Sequence, residues 1–424
     1  MSSIPSVVGL RCLLCGRRFQ TDEVDYVCPD HRGAATLSVV YDYQYLAGLT
    51  SPDRLASDPD RSIWRYRHLL PVRPDAEPPP LQVGGTPLLP AKVLEEEVGV
   101  TLWVKDEGRQ PTASLKDRAS ALAVLKARER GAGIVTAAST GNAGAALAAL
   151  CAAAGIPSVI FVPATAPQPK VAQLLSFGAT VLLVRGSYHQ AFDLCLWASG
   201  EFGWYNRNTG YNPYMTEGKK TVSYEIWEQL GYQIPDVVVV SVGDGCIIGG
   251  VHKGFEDLRQ LGWTDRVPRL IGAQAAGSAY LAQAWRRGED LTTKPPIRAE
   301  TVADSISADL PRDRFKAMAA VTETGGAFVE VSDSQILNAI VTLGQRLGVF
   351  AEPAAAASLA GLVEARRQGL VEDGERVVVI STGNGLKDID SAMRAVDESG
   401  EGPLSVDPEI EALAESLAGR FLGP

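Results

Sequence analysis

No apolar stretch in the 424 residues is long and unbroken enough to cross a bilayer; each is short or interrupted by glycine. A membrane-spanning class is therefore excluded. The opening MSSIPSVVGLRC lacks a basic segment followed by a long apolar run, so no secretory signal is expected. Basic residues are in deficit: 40 Lys and Arg against 50 Asp and Glu give a net charge of −10. Such a balance argues against nucleic acid or an anionic membrane as partner, although local cations and helix ends can still bind a small anion. Internal repeats and coiled-coil heptads are missing, and cysteines number only six. A cytoplasmic location follows as the default expectation.

What is present is a globular composition, 46% hydrophobic and 21% charged, at a length that suits two packed α/β lobes with a small extension. LWVK (Leu102 to Lys105), IVTAAS, SVIFV, TVLLV, DVVVVSV, RLIGAQ and RVVVIST read as strands, and helices are expected over 117–130, 142–154, 170–177 and 187–201. Short β-branched runs separated by helices imply parallel sheets buried on both faces. The expected units are a ribbon-like extension (1–45), a large domain (46–115 and 212–395), a small α/β domain (116–211) and a C-terminal helical tail (396–424). The clearest linker is PVRPDAEPPP, Pro71 to Pro80.

Cys12, Cys15, Cys28 and His31 form a Cys-x2-Cys and a Cys-x2-His twelve residues apart, a spacing that suits a tetrahedral Cys3His zinc ribbon. With four protein ligands such a zinc is structural. A ribbon that has lost its metal, with reduced thiols in a loop, would read the same way. Cys151, Cys195 and Cys246 lie among apolar neighbours and read as buried thiols.

Ligands of parallel α/β folds sit at the carboxyl ends of strands, and four such ends carry chemistry. DEGRQPTASLKDRAS puts Lys116 at the head of a helix, beside Asp117 and Arg118. There the helix N-terminus and a neighbouring cation favour a neutral, nucleophilic amine. AASTGNAGAALAAL presents Ser139, Thr140, Gly141 and Asn142 at a helix start, which either binds a carboxylate or simply caps the helix. SVGDGCIIGGVHKG lets glycine backbone approach a phosphate, but no Gly-Lys-Ser/Thr follows, and Asp244 must turn away from any anion. VVVISTGNGLKD ends a buried strand in Thr382, a hydroxyl for a cleft floor or a turn.

In order, CLLCG, WRYRHLLPV, GGTPLLP, PTASLKDR, STGNAG, NPYMTEGKKT, the glycine loop, ETGGAFVEVSD, GVFAEPAAAASLAGL and STGNGLKD resemble the threonine synthase family of fold type II pyridoxal-phosphate enzymes. The form resembled carries an N-terminal Cys-rich extension, and the likeness covers nearly the whole chain. It implies a two-lobed α/β fold of the tryptophan synthase β kind, with the cofactor in the cleft. It also implies a homodimeric lyase acting on a small amino acid. Carried over by position, Lys116 would be the Schiff-base lysine and proton carrier, and Asn142 would bond the pyridoxal 3′-oxygen. Backbone groups of Gly243, Asp244, Gly245, Cys246 and Ile247 would cradle the cofactor phosphate. Thr382 would face the pyridine nitrogen and leave it largely unprotonated, a milder electron sink. Ser114, Ser139, Thr140 and Gly141 would hold the substrate carboxylate.

Departures from the family pattern bear on the substrate. Ala113 and Leu115 replace Gly and Phe before the lysine, Asp244 stands where Asn is usual, and Asn384 where His is frequent. Thr209, Gly210 and Met215 occupy the places of residues that grip the substrate phosphate, and methionine cannot replace a bidentate arginine. An arginine restored at 215 is expected to improve use of O-phosphohomoserine. Arg207, Lys219 or Lys220 could supply the lost charge, or equally lie in solvent. The resemblance favours conversion of O-phosphohomoserine and water to threonine and phosphate. Ammonia-lyase chemistry on serine or threonine, cysteate synthase-like β-replacement, and a non-catalytic ligand-binding relative are the alternatives.

Overall fold

The structure, a computed structural model, describes residues 4–400 except 33, 35, 140 and 167, with some of 402–417. Thr140 and much of the expected tail lie outside the described residues. Valine-rich runs build the larger sheet, because β-branched side chains pack well on a pleat covered on both faces. Its spatial order is Ala327–Val331, Arg269–Ala275, Val237–Ser241, Arg376–Ser381, Thr101–Asp106 and Leu88–Pro90. Every pair is parallel except the last. A second, parallel sheet has the order Thr180–Val184, Ser158–Pro163, Val135–Ala138, Tyr205–Asn206. At the N-terminus Arg18–Phe19, Val7–Cys12 and Leu37–Tyr41 pair antiparallel.

Three of the four chemistry-bearing loops leave adjacent strands of the larger sheet, those ending at Ser241, Ser381 and Asp106, and the register sets Ser381 against Asp106. The fourth leaves Val135–Ala138, interior to the smaller sheet. The passage from Pro71 to Pro80 is no free linker. Lys126 Nζ donates to Pro71 O at 3.0 Å, and Arg67 donates to Pro74 O and Ala76 O. Carbonyls of a proline-rich segment find no ladder partner, and long cationic side chains supply the donors.

A buried ion network fixes the helix Lys116–Glu129 against the larger sheet. Arg118 lies 2.7 Å from Glu107 and 2.7 Å from Glu225, and Lys105 lies 2.7 Å from Glu225. Burial by itself would push both carboxylates up, but Arg118 and Lys105 outweigh it and hold them below the usual range. The network's contribution is therefore present above about pH 4.3 and lost as pH falls. Replacing Arg118 by Met leaves two carboxylates short of a partner in the interior. Arg118→Met is expected to cost about 3–5 kcal/mol, read from the denaturant midpoint; a change under about 1 kcal/mol would show that the network does not hold the helix.

Candidate active site

Lys116 opens its helix, and the loop before it is stitched to the loop after Arg376–Ser381. Leu115 N donates to Thr382 O at 2.9 Å, and Asn384 N donates to Ala113 O at 3.0 Å. Lys116 and Thr382 are thus brought together by backbone bonds. Ala113 has φ +62°, a left-handed backbone that costs a non-glycine residue about 1–2 kcal/mol. The departure from glycine falls at a point where glycine would be relaxed. Asp117 helps hold the turn by accepting from Thr112 N at 2.7 Å.

The Lys116 ammonium is pulled down to about 8, first by burial and then by Lys219 and Arg207. Arg118, the cation expected to do this, is turned into the ion network instead. The solvent placement weighed for Arg207, Lys219 and Lys220 is also overturned: they are 1%, 0% and 0% exposed. Lys220 is paired with Glu217 at 2.6 Å and Asp257 at 2.7 Å. Arg207 Nε donates to Ser120 Oγ at 3.0 Å and Nη1 to Thr209 Oγ1 at 2.9 Å, while Nη2 is buried without a partner. Lys219 Nζ lies 3.5 Å from Thr209 Oγ1 and also bonds to the Cys246 thiol. Among the described residues no carboxylate pairs with either cation. Two buried cations with no carboxylate in ion-pair contact are costly, even though Asp244 is near enough to act on Lys219, and a bound anion would offset the cost.

Met215 does not belong to this cluster. It is fully buried in the apolar core, on the helix Tyr214–Lys219 whose Thr216 hydroxyl lies 3.7 Å from Cys246 Sγ. An arginine at 215 would add a third buried cation, on the helix that carries Lys219, and any benefit of Met215→Arg has to exceed that cost.

The glycine loop leads into the helix Cys246–Gln260 through Gly245, at φ +95°. A Cβ on Gly243 would stand 2.6 Å from Ile306 Cα, and one on Gly245 2.9 Å from Asp313 O. Close approach of neighbouring backbone therefore demands glycine at both, and the free N–H groups of the helix start form an anion cradle. Asp244 is turned away as anticipated: its Oδ1 accepts from Arg312 N at 2.7 Å.

Asn142 begins the helix Asn142–Ala154, and its Nδ2 donates to both oxygens of Glu352, at 2.8 and 3.0 Å. Burial pushes the Glu352 carboxyl up. Glu352 lies in the quoted GVFAEPAAAASLAGL, yet no role was read for it; the signal was a lone acid before proline at the head of an alanine-rich helix. Both residues line a cleft of about 350 Å³ together with Gly141, Thr112, Lys170 and Lys387. Ser139 Oγ accepts from Gly141 N at 3.3 Å and Gly144 N at 3.0 Å, the capping arrangement. Among the described residues Ser114 Oγ and Ser381 Oγ are buried without partners, and Thr382, next to Ser381 in the chain, is buried too. An amine of lowered pKa, a glycine cradle, unpaired cations and orphaned hydroxyls together fit a phosphorylated aldehyde such as the resemblance implies.

In the N-terminal extension the ligand atoms of Cys12, Cys15, Cys28 and His31 all lie within 4.8 Å of one another. Cys15 Sγ to Cys28 Sγ is 3.9 Å and Cys12 Sγ to His31 Nδ1 is 3.5 Å. A tetrahedral centre with bonds of about 2.3 Å to sulfur has edges of about 3.8 Å, so the four groups fit one.

A family model described as pyridoxal-phosphate dependent enzyme matches residues 80–383. A threonine synthase of Methanocaldococcus jannaschii is 36% identical, over 96% of this chain and 98% of its own. One of Methanosarcina acetivorans is 40% identical, over 97% and 99%. Among solved structures, processed threonine deaminase isoform 2 of Solanum lycopersicum is similar at a TM-score of 0.64, 23% identity, and 75% and 84% coverage. Diaminopropionate ammonia lyase of Escherichia coli is similar at 0.64, 19% identity, and 81% and 94% coverage. No helix among the described residues is long and apolar enough to cross a membrane.

The lowered Lys116 pKa has a direct readout. The neutral amine predominates above about pH 8, so the rate at which the apoprotein's Lys116 combines with an aldehyde should rise with pH and level off near 8. Lys219→Met or Arg207→Met should move that inflection upward. Stopped-flow absorbance checks this, and an inflection near 10.4, the ordinary lysine value, would overturn it.

Proposed function

The chain belongs to the pyridoxal-phosphate-dependent enzymes, in their threonine synthase family and fold type II architecture, and on that premise we propose that it converts O-phosphohomoserine and water to threonine and phosphate. The observation that carries the reading is the unpaired pair Arg207 and Lys219, joined through Thr209 and close enough to Lys116 to depress it. These cations answer the need for a phosphate site without an arginine at 215. The ammonia-lyase, cysteate synthase-like and silent alternatives are not favoured by relatives aligned over almost the full length.

Pyridoxal phosphate, when bound, supplies an electron sink for charge that develops next to the α-carbon. Lys116 would hold its aldehyde carbon, the backbone of 243–247 its phosphate, and Asn142 and Thr382 its ring heteroatoms. Glu352, by accepting both bonds from Asn142, sets which way that amide faces. The free Lys116 amine takes the α-proton of the substrate, and a pKa near 8 suits a base that must also give a proton back. It then moves a proton at the β-carbon. Arg207 and Lys219 hold the substrate phosphate and stabilise the charge that grows as the γ carbon–oxygen bond breaks. Ser114, Ser139, Gly141 and Thr140, the last outside the described residues, would hold the carboxylate.

Cys12, Cys15, Cys28 and His31 are proposed to bind one structural zinc. A cytoplasmic homodimer is the proposed working form. Six free cysteines suit a reducing compartment, and the exposed ring pair Trp197 and Phe202 offers an apolar association surface.

Two experiments test these assignments. Wild-type enzyme should release threonine and phosphate from O-phosphohomoserine in equal amounts. Arg207→Met should raise KM by roughly ten- to a hundred-fold, the worth of a charged hydrogen bond of about 1.5–3 kcal/mol. Borohydride should fix the cofactor on Lys116 in both proteins, as seen by peptide mapping. Release of ammonia and a 2-oxo acid instead, or a label elsewhere, would sink the reading. For the ribbon, metal analysis should find one zinc per chain. Cys28→Ser should lose it and melt earlier while still taking the borohydride label on Lys116; a metal-free wild type purified without chelator counts against the site.

A further inference from the structure

The strand Tyr205–Asn206 is only two residues long and forms the open edge of its sheet. Tyr205 N and Arg207 N donate inward, to Ile134 O at 3.0 Å and Thr136 O at 2.9 Å. Asn206 N faces the other way. Its partner comes from the ribbon: the Tyr26 hydroxyl oxygen accepts from it at 3.1 Å. Tyr26 lies two residues before Cys28. Its ring stands edge-on to Tyr205 at 5.9 Å and against Tyr211 at 5.0 Å, with the Arg130 guanidinium 5.5 Å from its centre.

What Tyr26 fixes is passed on to the site. Asn206 Oδ1 accepts from Asn208 N at 2.8 Å, and Asn208 Oδ1 accepts from Ala138 N at 2.8 Å, immediately before Ser139. Asn212 Nδ2 closes the turn on Asn206 O at 2.8 Å. Arg207 lies inside this framework, between the two asparagines. A two-residue strand has few ladder bonds of its own, so the direction of Arg207 depends on what covers the outer edge.

We propose that Tyr26 is a positioning residue for the substrate anion, through which the ribbon fixes the edge strand that aims Arg207. The proposal rests on the phosphate-ester reading of Arg207 and Lys219. It assigns the extension a part in substrate affinity, separate from its attachment. Attachment is carried by Tyr41, whose hydroxyl donates to Glu217 at 2.7 Å, and by Tyr43, whose hydroxyl donates to Asp257 at 2.6 Å. Both anchors remain when Tyr26 is changed, so the effect should be local.

The test uses holoenzyme of the wild type, Tyr26→Phe, Tyr26→Ala and, as control, Tyr43→Phe. KM and kcat are measured with O-phosphohomoserine, and the Kd of inorganic phosphate by calorimetry. Tyr26→Phe removes only the hydroxyl and should raise KM and phosphate Kd about threefold to tenfold, in line with one net hydrogen bond. Tyr26→Ala should raise them further. In both, kcat should stay within about twofold, with metal content and cofactor absorbance unchanged, and Tyr43→Phe should move neither constant. Wild-type affinity in the Tyr26 variants, or affinity lost only together with cofactor or metal, would overturn the proposal. If the wild type makes no threonine from O-phosphohomoserine, the reaction assignment falls, and the phosphate Kd alone decides the role of Tyr26.

Discussion

Positive charge buried without a counterion is the constraint around which the active site is arranged. Other cations in the interior have acids: Arg118 and Lys105 share Glu107 and Glu225, and Lys220 bridges Glu217 and Asp257. Arg207 and Lys219 are as deeply buried but have no carboxylate in ion-pair contact among the described residues: Arg207 bonds to hydroxyls, and Lys219 to the Thr209 hydroxyl and the Cys246 thiol. Charge of that kind is held in place by surrounding structure, and its field is felt by whatever titrates nearby, here Lys116. The same feature that leaves room for a dianion also makes the amine a usable base. Burial and then this field lower the amine's pKa, and the proposed anion site would draw on the same field.

The supporting parts follow from this. The network around Arg118 keeps the helix of Lys116 in position, and by engaging Arg118 it leaves the neighbourhood of the amine to Lys219 and Arg207. Backbone bonds between 113–115 and 382–384 bring two strand ends into one wall. Glu352 orients Asn142 from behind, and the ribbon covers the edge beside Arg207.

Much of this was legible in the sequence because the relevant signals are local. Val237–Ser241 and Arg376–Ser381 declare themselves by β-branched runs, and the helix Asn142–Ala154 has the bounds that its alanines suggest. The clustering of Cys12, Cys15, Cys28 and His31 and the turned Asp244 could be read from spacing and chemistry. What could not be read depends on tertiary context. Whether a lysine in EGKKT is solvated or buried is decided by helices packing on every side of Tyr214–Lys219, and adjacent Lys219 and Lys220 meet different fates. The short strands Tyr205–Asn206 and Leu88–Pro90 have too few residues to show a period.

The pairing of Thr101–Asp106 with Arg376–Ser381 has a consequence for the order of events on the ribosome. These neighbours stand some 270 residues apart in the chain, and contacts of such separation form late. The second sheet, from Val135 to Asn206, lies wholly between them and can close on itself while synthesis continues. Until residues 382–384 emerge, Leu115 N and Ala113 O lack the partners they have in the folded chain. The wall that holds Lys116 beside Thr382 is thus complete only when the last strand of the sheet is laid down.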